Sequence, residues 1–326
     1  MIDLGASLLS PAVLCFVLGA AAHGLRSDLR LPDAMFSVLS AYLMLAIGLK
    51  GGAALAATPF AAFVGPAAGA LALGCAIPVW TYALLRRLGG FSAADAAAVA
   101  AHYGSVSAVT FAAVIDGLGR AGVGFEGYAA ALLALLEAPA ILIALALGGL
   151  GGARGGAGHG GTEGALGRVL AEVATGKSVV LLVGGLAIGA LVGPSGLGPV
   201  KPFFVDLFPG VLCLFLLDLG RVAAERARDF RAAGPWLALF AVLAPVVHGA
   251  LGVLVAYGTG MSQGGAVVLG TLAASASYIA APAAVRLALP EANPGLYLTA
   301  SLAITFPFNI VFGIALYAAM ARLVYG

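Results

Sequence analysis

The chain has 326 residues, of which 62% are apolar and only 9% are charged, and its mean hydropathy is +1.09. A soluble domain carries about 25% charged residues and cannot bury this much apolar surface. The formal net charge of +2 is too small to indicate a nucleic acid or another polyanion as a partner. The three cysteines lack metal-ligand spacing, so no transition metal and no organic cofactor is expected. Composition therefore excludes a soluble enzyme, a nucleic-acid binder and a disordered chain, and it indicates a polytopic membrane protein.

Ten apolar segments approach or exceed the roughly 20 residues that a helix needs to cross a bilayer. The segments are too long, and too rich in Ala and Leu, for β-barrel strands. The fold class predicted here is therefore all-α, with ten transmembrane helices. Their expected bounds are 8–24, 32–50, 58–84, 92–115, 127–150, 178–194, 202–221, 233–257, 262–287 and 295–321.

The distribution of basic residues predicts the orientation of the chain in the membrane. With the N-terminus outside, the inside loops carry twelve of the sixteen Lys and Arg residues. This asymmetry obeys the positive-inside rule, so both termini are expected on the non-cytoplasmic side. The first segment lacks a basic leader, so it is interpreted as a span and not as a signal peptide. The remaining four basic residues are Lys50, Arg120, Lys201 and Arg322.

A long connection divides the chain into residues 1–150, a linker over 151–177 and residues 178–326. The linker begins as a Gly-rich, flexible segment that contains His159, for which a solvated position is expected. Its second part, roughly 163–175, is predicted to form a short amphipathic helix on the cytoplasmic face. Each half then holds five spans, so the second half enters the membrane from the opposite side.

The two halves also resemble each other in sequence. The segment from Gly90 matches the segment from Gly260 at a constant offset of 170, and the next helix continues the match at an offset of 168. These matches predict two inverted five-helix repeats, an architecture that many secondary transporters share. The matched pairs are Ser92 and Ser262, Ser105 and Ser275, Ser107 and Ser277, Gly127 and Gly295, and Pro139 and Pro307.

Spans four and nine each carry a Ser-x-Ser motif among small residues, Ser105 and Ser107 in one and Ser275 and Ser277 in the other. Such segments mark places where a helix breaks inside the membrane, which is tolerated only next to protein or a water-filled cavity. A break exposes N–H groups at a half-helix start, and these favour anions. The pattern predicts a small-anion site near the midplane. The alternative is that the serines hold helices together through hydrogen bonds.

Glu137 lies in the middle of span five, where a carboxylate costs on the order of 3 kcal/mol on insertion scales. Oxygen-rich positions suit a hard cation such as sodium, so a cation-coupling role is favoured for Glu137. Thr305 and Asn309 lie at the equivalent level of span ten and are further candidates. A structural hydrogen bond or proton coupling through Glu137 remains open. His102 is expected to be a neutral histidine that is hydrogen-bonded between helices, and His248 likewise.

Five motifs carry a resemblance to a known family: YGSVSAVTFAA (103–113), LEAPAI (136–141), LAPVVHG (243–249), VVLGTLAASASYIAAP (267–282) and LPEANPGLY (289–297). On these motifs the chain resembles a divergent branch of the SbtA-type, sodium-dependent bicarbonate transporters. The resemblance implies core and gate domains, a homotrimer and an inner-membrane location. It also implies import of bicarbonate with sodium as the coupling ion, through an elevator-like movement of the core. A trimeric PII-like regulator on the cytoplasmic face is a further implied partner, besides membrane lipids.

The resemblance also implies which residues form the site. The substrate residues carried over are Gly104, Ser105, Ser107, Ser275, Ala276 and Ser277. Thr110 matches a threonine of the family's first segment and Glu137 an acidic position before a proline, and both are candidate cation ligands. The sequence departs from the family pattern at Tyr278, which replaces an aspartate, and at Val109, which replaces a serine.

Three other functions are weighed against bicarbonate import. The first is a sodium- or proton-coupled carrier of a small organic carboxylate, which a more apolar pocket around Tyr278 and Val109 would suit. The second is a membrane sensor or partner-binding protein without transport. The third is a membrane-embedded hydrolase that uses Ser105 with His102, three residues apart on a helix. For the hydrolase, no orienting group or oxyanion-hole motif is evident.

Overall fold

The computed structural model describes residues 9–152, 162–227 and 230–326, and within these ranges the chain is helical, with connecting loops and no strand. The Gly-rich part of the linker, with His159, lies outside the described residues. The helices are α1 (Pro11–Gly24), α2 (Asp33–Ala56), α3 (Phe60–Arg87), α4 (Ala93–Gly104), α5 (Ala108–Arg120), α6 (Ala129–Glu137), α7 (Pro139–Gly152), α8 (Thr162–Thr175), α9 (Lys177–Gly196), α10 (Phe208–Arg226), α11 (Phe230–Gly258), α12 (Gln263–Ala274), α13 (Ala281–Ala288) and α14 (Pro294–Tyr325). The short helix predicted over 163–175 corresponds to α8.

The described part of the chain contains seven helical segments that are long and apolar enough to cross a membrane. They are Asp33–Ala56, Phe60–Arg87, Ala93–Arg120, Ala129–Gly149, Lys177–Gly196, Gly234–Gly258 and Pro294–Tyr325. The helices α1 and α12 are apolar but shorter. The remaining predicted span, α10, has 19 residues and carries Asp218, Arg221, Glu225 and Arg226 in its C-terminal half. The predicted all-helical fold class is thus confirmed. Of the ten predicted spans, seven meet the length and hydropathy expected of a membrane-spanning helix in the described part of the chain.

Both Ser-x-Ser segments interrupt their helices, as the sequence indicated. The fourth predicted span is divided into α4 and α5 by residues 105–107, and the ninth into α12 and α13 by residues 275–280. A third interruption lies in the fifth predicted span, between α6 and α7. There Pro139 lacks an N–H group, so it cannot continue the hydrogen-bond ladder of the preceding turn.

Two pairs of residues that are 170 positions apart adopt the same local structure. Gly90 and Gly260 both have a positive φ, 67° and 76°, which a residue with a side chain rarely adopts. Two residues later, Ser92 and Ser262 begin α4 and α12 as N-caps, and each hydroxyl oxygen accepts a backbone N–H at 3.0 and 3.1 Å. The sequence match between the two halves therefore extends to their backbone conformation.

Four helices pair closely through glycines. The helix α1 packs on α10 at Gly19 and Gly220, and a Cβ atom at either position would collide with a backbone carbonyl of the other helix. The helix α2 packs on α9 in the same way, at Gly52 and Gly189. Because α10 also contacts α2, these four helices form one packed group, called here the α1–α2–α9–α10 group.

The broken helices belong to the rest of the fold, and polar contacts tie them to neighbouring helices at their starts. The Asp95 carboxylate on α4 accepts the backbone N–H of Asn293, the N-cap of α14, at 2.8 Å. The Glu126 carboxylate, just before α6, accepts the backbone N–H of Ser262 at the start of α12, at 2.5 Å. The first broken helix is thereby linked at α4 to α14, which follows the second broken helix in the chain. The second broken helix is linked at α12 to the start of α6, which follows the first.

Candidate functional site

The two helix breaks contact each other directly. The backbone N–H of Ser107 donates to the hydroxyl oxygen of Ser275 at 2.9 Å. The backbone N–H of Ser277 donates to the carbonyl oxygen of His102 at 2.8 Å. Unwound backbone in a membrane needs partners of this kind because no water is available to satisfy it. The two Ser-x-Ser segments therefore meet in the fold.

One serine of each motif accepts a backbone N–H from the start of the half-helix that follows the break, and Ser107 is the N-cap of its helix. The Ser107 hydroxyl oxygen accepts the backbone N–H of Thr110 at 3.2 Å, and the Ser277 hydroxyl oxygen accepts that of Ala281 at 3.3 Å. The helices α5 and α13 thus begin at the breaks. The first N–H groups of a helix lack intrahelical partners, and the helix dipole is positive there. Two positive half-helix ends are therefore directed to the region where the breaks meet.

A small cavity of about 10 Å³ lies at this position. It is lined by Ser107 and Ser277, by Glu137 and by Tyr278, whose buried hydroxyl lies beside that of Ser107. This volume is about what a single water molecule needs. The remaining lining residues are Met44, Val106, Ala108, Ser178, Ile279 and Ala280.

Glu137 is the last residue of α6 and is 6% exposed. Within the described residues, no hydrogen bond or ion pair reaches its carboxylate, while its backbone carbonyl accepts the Ser105 hydroxyl at 3.0 Å. A buried, unpaired carboxylate is costly. A cation in the cavity would offset this cost, so the geometry around Glu137 suits the predicted coupling role.

The other predicted substrate residues surround the cavity without lining it. The Ser275 hydroxyl donates to the carbonyl oxygen of Leu272 at 2.8 Å while it accepts the contact from the opposite break. Gly104 allows close helix packing, because a Cβ atom there would lie 2.6 Å from that of Ala140. Ala276 is buried in the apolar core. These residues, together with Ser105, hold the breaks in place, which is the structural role that the sequence left open for the serines.

The remaining cation candidates lie apart from the cavity lining. The Thr110 hydroxyl oxygen is buried and has no partner among the described residues. The Thr305 hydroxyl donates to the carbonyl oxygen of Ala241 at 2.6 Å and lies 2.6 Å from the Tyr103 hydroxyl. Asn309 bridges two helices, because its Nδ2 donates to the Ala274 carbonyl at 2.9 Å and its Oδ1 accepts the Tyr317 hydroxyl at 2.7 Å. In this conformation Thr305 and Asn309 thus connect helices.

The two intramembrane histidines differ in their contacts. His248 Nε2 accepts the indole N–H of Trp80 at 2.9 Å, so it is hydrogen-bonded between helices as predicted. His102 instead bonds within its own helix, with Nδ1 lying 2.7 Å from the Ala98 carbonyl, and its ring stacks on Tyr297. Among the described residues, the hydrogen bond expected between helices is therefore absent at the His102 imidazole. Its partners, and those of the Ser105 hydroxyl, leave no nucleophile–base pair for a hydrolase.

Sequence reasoning missed six residues of the cavity lining and named Tyr278 only as a departure from a family pattern. Four of the six lie within three residues of Ser107 or Ser277 in the chain, and the other two are Met44 and Ser178. Ser178 is a single hydroxyl at the start of an apolar helix, which is a weak signal. Met44 lies within an apolar run, and no spacing distinguishes it from its neighbours. Both residues reach the cavity from the α1–α2–α9–α10 group, whose position relative to the breaks depends on tertiary packing.

Comparison with known proteins agrees with the helical, apolar architecture. No curated protein sequence matches the chain at a significant level. The model of the Na+-dependent bicarbonate transporter superfamily matches residues 11–322, nearly the whole chain. Members of this family are transporters and not enzymes, which removes the hydrolase alternative. The chain is therefore a multi-pass membrane protein that belongs to the Na+-dependent bicarbonate transporter superfamily.

Proposed function

We propose that the protein imports bicarbonate in symport with sodium, through alternating access at the cavity between the two helix breaks. The observation that carries this proposal is the convergence of Ser107, Ser277 and the unpaired Glu137 carboxylate on one small buried cavity. Family membership supports bicarbonate as the transported anion. In this arrangement the serines would bind the anion and Glu137 the cation, so that each ion has its own ligands, as a symporter requires.

The anion is assigned to the half-helix ends. Serine hydroxyls and the first N–H groups of α5 and α13 are donors without a full positive charge, so they bind a monovalent anion weakly enough to release it. The hydroxyl oxygens of Ser107 and Ser277 each accept a bond from a helix N–H, and both hydroxyls keep a proton to donate. The Ser107 hydroxyl lies beside that of Tyr278, so these two groups face the cavity together.

The cation is assigned to the Glu137 side of the same cavity. Sodium is a hard cation that prefers oxygen ligands, by the same reasoning that applies to calcium and magnesium. The Glu137 carboxylate supplies charge, and the Thr110 hydroxyl is a second unpartnered oxygen near the start of α5. With both ions bound near each other, each offsets the charge of the other. Sodium then raises bicarbonate affinity, and bicarbonate raises sodium affinity by the same factor.

The fold assigned to this function has ten spans in two inverted five-helix repeats. Three observations support it: the equal local structure at residues 170 apart, the pairing of α1 with α10 and of α2 with α9, and the Trp80–His248 bond. In such a repeat, a pseudo-twofold axis relates the α1–α10 pair to the α2–α9 pair. Trp80 and His248 are 168 residues apart, which equals the offset of the second sequence match between the two halves. The α1–α2–α9–α10 group is the gate in this scheme, and the helices around the breaks are the core.

The small cavity corresponds to an occluded conformation, because about 10 Å³ does not admit bicarbonate without side-chain movement. An elevator-like displacement of the core against the gate would open it to either side. The charge distribution supports termini on the non-cytoplasmic side of the inner membrane. A homotrimer and a PII-like cytoplasmic regulator complete the proposal, and both rest on the motif resemblance.

A carrier of a small organic carboxylate is the second candidate, and the position of Tyr278 in the cavity lining favours it. An aromatic ring at this position supplies apolar contact that bicarbonate does not use. Competition experiments separate the two functions. In proteoliposomes, short carboxylates at excess should leave the uptake of labelled bicarbonate unchanged if bicarbonate is the substrate. Competitive inhibition with transport of the carboxylate itself would favour the second candidate.

A further inference from the structure

A second and much larger cavity, of about 550 Å³, lies between α2 and α10 on one side and α5 and α6 on the other. It begins one helical turn from the small cavity. Along α2, Met44 lines the small cavity and Ile47 and Lys50 line the large one. Along α5, Phe111 follows Ser107 by four residues. The large cavity therefore lies next to the candidate site.

The charges in this cavity do not cancel. Arg120 Nε pairs with Asp116 Oδ2 at 2.9 Å. Lys50 forms no ion pair within 4 Å in the part of the chain that the structure describes, although it is near enough to Asp116 to interact with it at longer range. The Lys50 Nζ lies 5.5 Å from the centroid of the Phe208 ring. The Lys50 ammonium, the Arg120 guanidinium and the Asp116 carboxylate together carry a net charge of +1 in this part of the cavity. The rest of the lining is mostly apolar, and Gly119 and Arg120 form an exposed rim.

We propose that the large cavity binds a small amphipathic organic monocarboxylate. Its carboxylate lies beside the Lys50 ammonium, and its apolar body lies against Phe111 and Phe208. A volume of 550 Å³ is in the range of organic ligand sites, which are mainly apolar with a few fixed polar groups. An inorganic anion would leave most of this apolar surface unfilled, and a dianion would exceed the single unpaired charge.

The ligand contacts both the α1–α2–α9–α10 group and the helices that carry the break. Its occupation holds these two parts together and so inhibits uptake without competing for the small cavity. Only this inhibitory effect rests on the proposed function, because binding itself does not depend on transport.

Binding of 2-naphthoate to the purified full-length protein tests the proposal, with neutral 2-naphthamide as the matched control ligand. We expect naphthoate to raise the melting temperature and to bind saturably in equilibrium dialysis, and the amide to do neither. Lys50→Met should weaken naphthoate binding at least tenfold. Lys201→Met is the control substitution, because Lys201 is already paired with Asp206 at 2.6 Å. Equal binding by the Lys50 variant and the parent protein, or by amide and carboxylate, would overturn the proposal.

A second variant pair tests the location without removing a charge. Gly119 lines the large cavity and Gly117 does not, and a Cβ atom at either position meets nothing within 4 Å. Gly119→Leu should therefore fold and abolish naphthoate binding, whereas Gly117→Leu should retain it. Undiminished binding by Gly119→Leu would contradict the location. Complete displacement of naphthoate by phosphatidylglycerol, but not by phosphatidylcholine, in nanodiscs would show a lipid site and would likewise overturn the proposal. If the protein binds naphthoate but does not transport bicarbonate, the proposed transport function is refuted and the proposed site in the large cavity stands.

Discussion

Replacement of Ser107 by alanine removes two things at once: the cap of α5 and a hydroxyl of the small cavity. The cap accepts the Thr110 N–H at 3.2 Å, and loss of an N-cap costs about 1 kcal/mol of stability. Loss of a hydrogen bond to a charged ligand costs about 1.5–3 kcal/mol, which corresponds to roughly 10- to 150-fold weaker half-saturation. Transport should therefore suffer much more than folding does.

The assay is initial uptake of radiolabelled bicarbonate into proteoliposomes, at alkaline pH, where little of the carbonate pool is membrane-permeant CO2. Ser107→Ala should raise the bicarbonate concentration for half-maximal uptake by the factor above, and Ser277→Ala should do the same. Ser301→Ala is the matched control. Ser301 is also a buried serine, but its hydroxyl donates to the Tyr297 carbonyl at 2.7 Å, away from the cavity.

Parent-like uptake by both cavity variants would refute the assignment of the anion to the half-helix ends. A large loss in the Ser301→Ala control would show that any buried serine is needed for folding, and the argument from the cavity would then fail. Melting temperatures in detergent, measured for all four proteins, separate loss of binding from loss of the folded state.

The remaining predictions concern the cation, the gate and one helix pair. Glu137→Gln should abolish sodium stimulation of uptake without lowering the melting temperature, because it removes a buried, unpaired charge; unchanged sodium dependence would contradict the cation role. Gly220→Ala should destabilise the protein by about 1–3 kcal/mol in thermal unfolding, because a Cβ atom at this position collides with α1. Gly210→Ala on the same helix is the control and should leave the stability unchanged, because a Cβ atom there meets open space. Oxidation with copper phenanthroline should crosslink Cys15 to Cys213, whose side chains are in contact between α1 and α10; peptide mapping that finds both thiols free would contradict this helix pairing.

The positions of the helix breaks were predictable because their signals are local. Ser107 and Ser277 lie among small residues, and a hydroxyl that caps a helix acts on a backbone group three or four residues further on. The matching turns at Gly90 and Gly260 also have a local signal, because both residues keep a backbone conformation that favours glycine.

The partners of the polar side chains were not predictable, because they come from distant parts of the chain. Thr305, a candidate cation ligand, donates to the carbonyl of Ala241, which is 64 residues away. The Ser105 hydroxyl reaches the backbone of Glu137 rather than its carboxylate. The large cavity beside Lys50 is likewise a product of how helices pack, and the sequence around that lysine gives only a topology signal.

Sodium-driven uptake by the unmodified protein tests the central claim most directly. Purified protein in sealed proteoliposomes would be given labelled bicarbonate at alkaline pH, with an inward sodium gradient or with the same gradient of choline. Our account predicts accumulation that requires sodium and that collapses when a sodium ionophore removes the gradient. Equal uptake in sodium and choline, by protein shown to be folded, would contradict sodium coupling, and no uptake in either condition would contradict bicarbonate transport at this site.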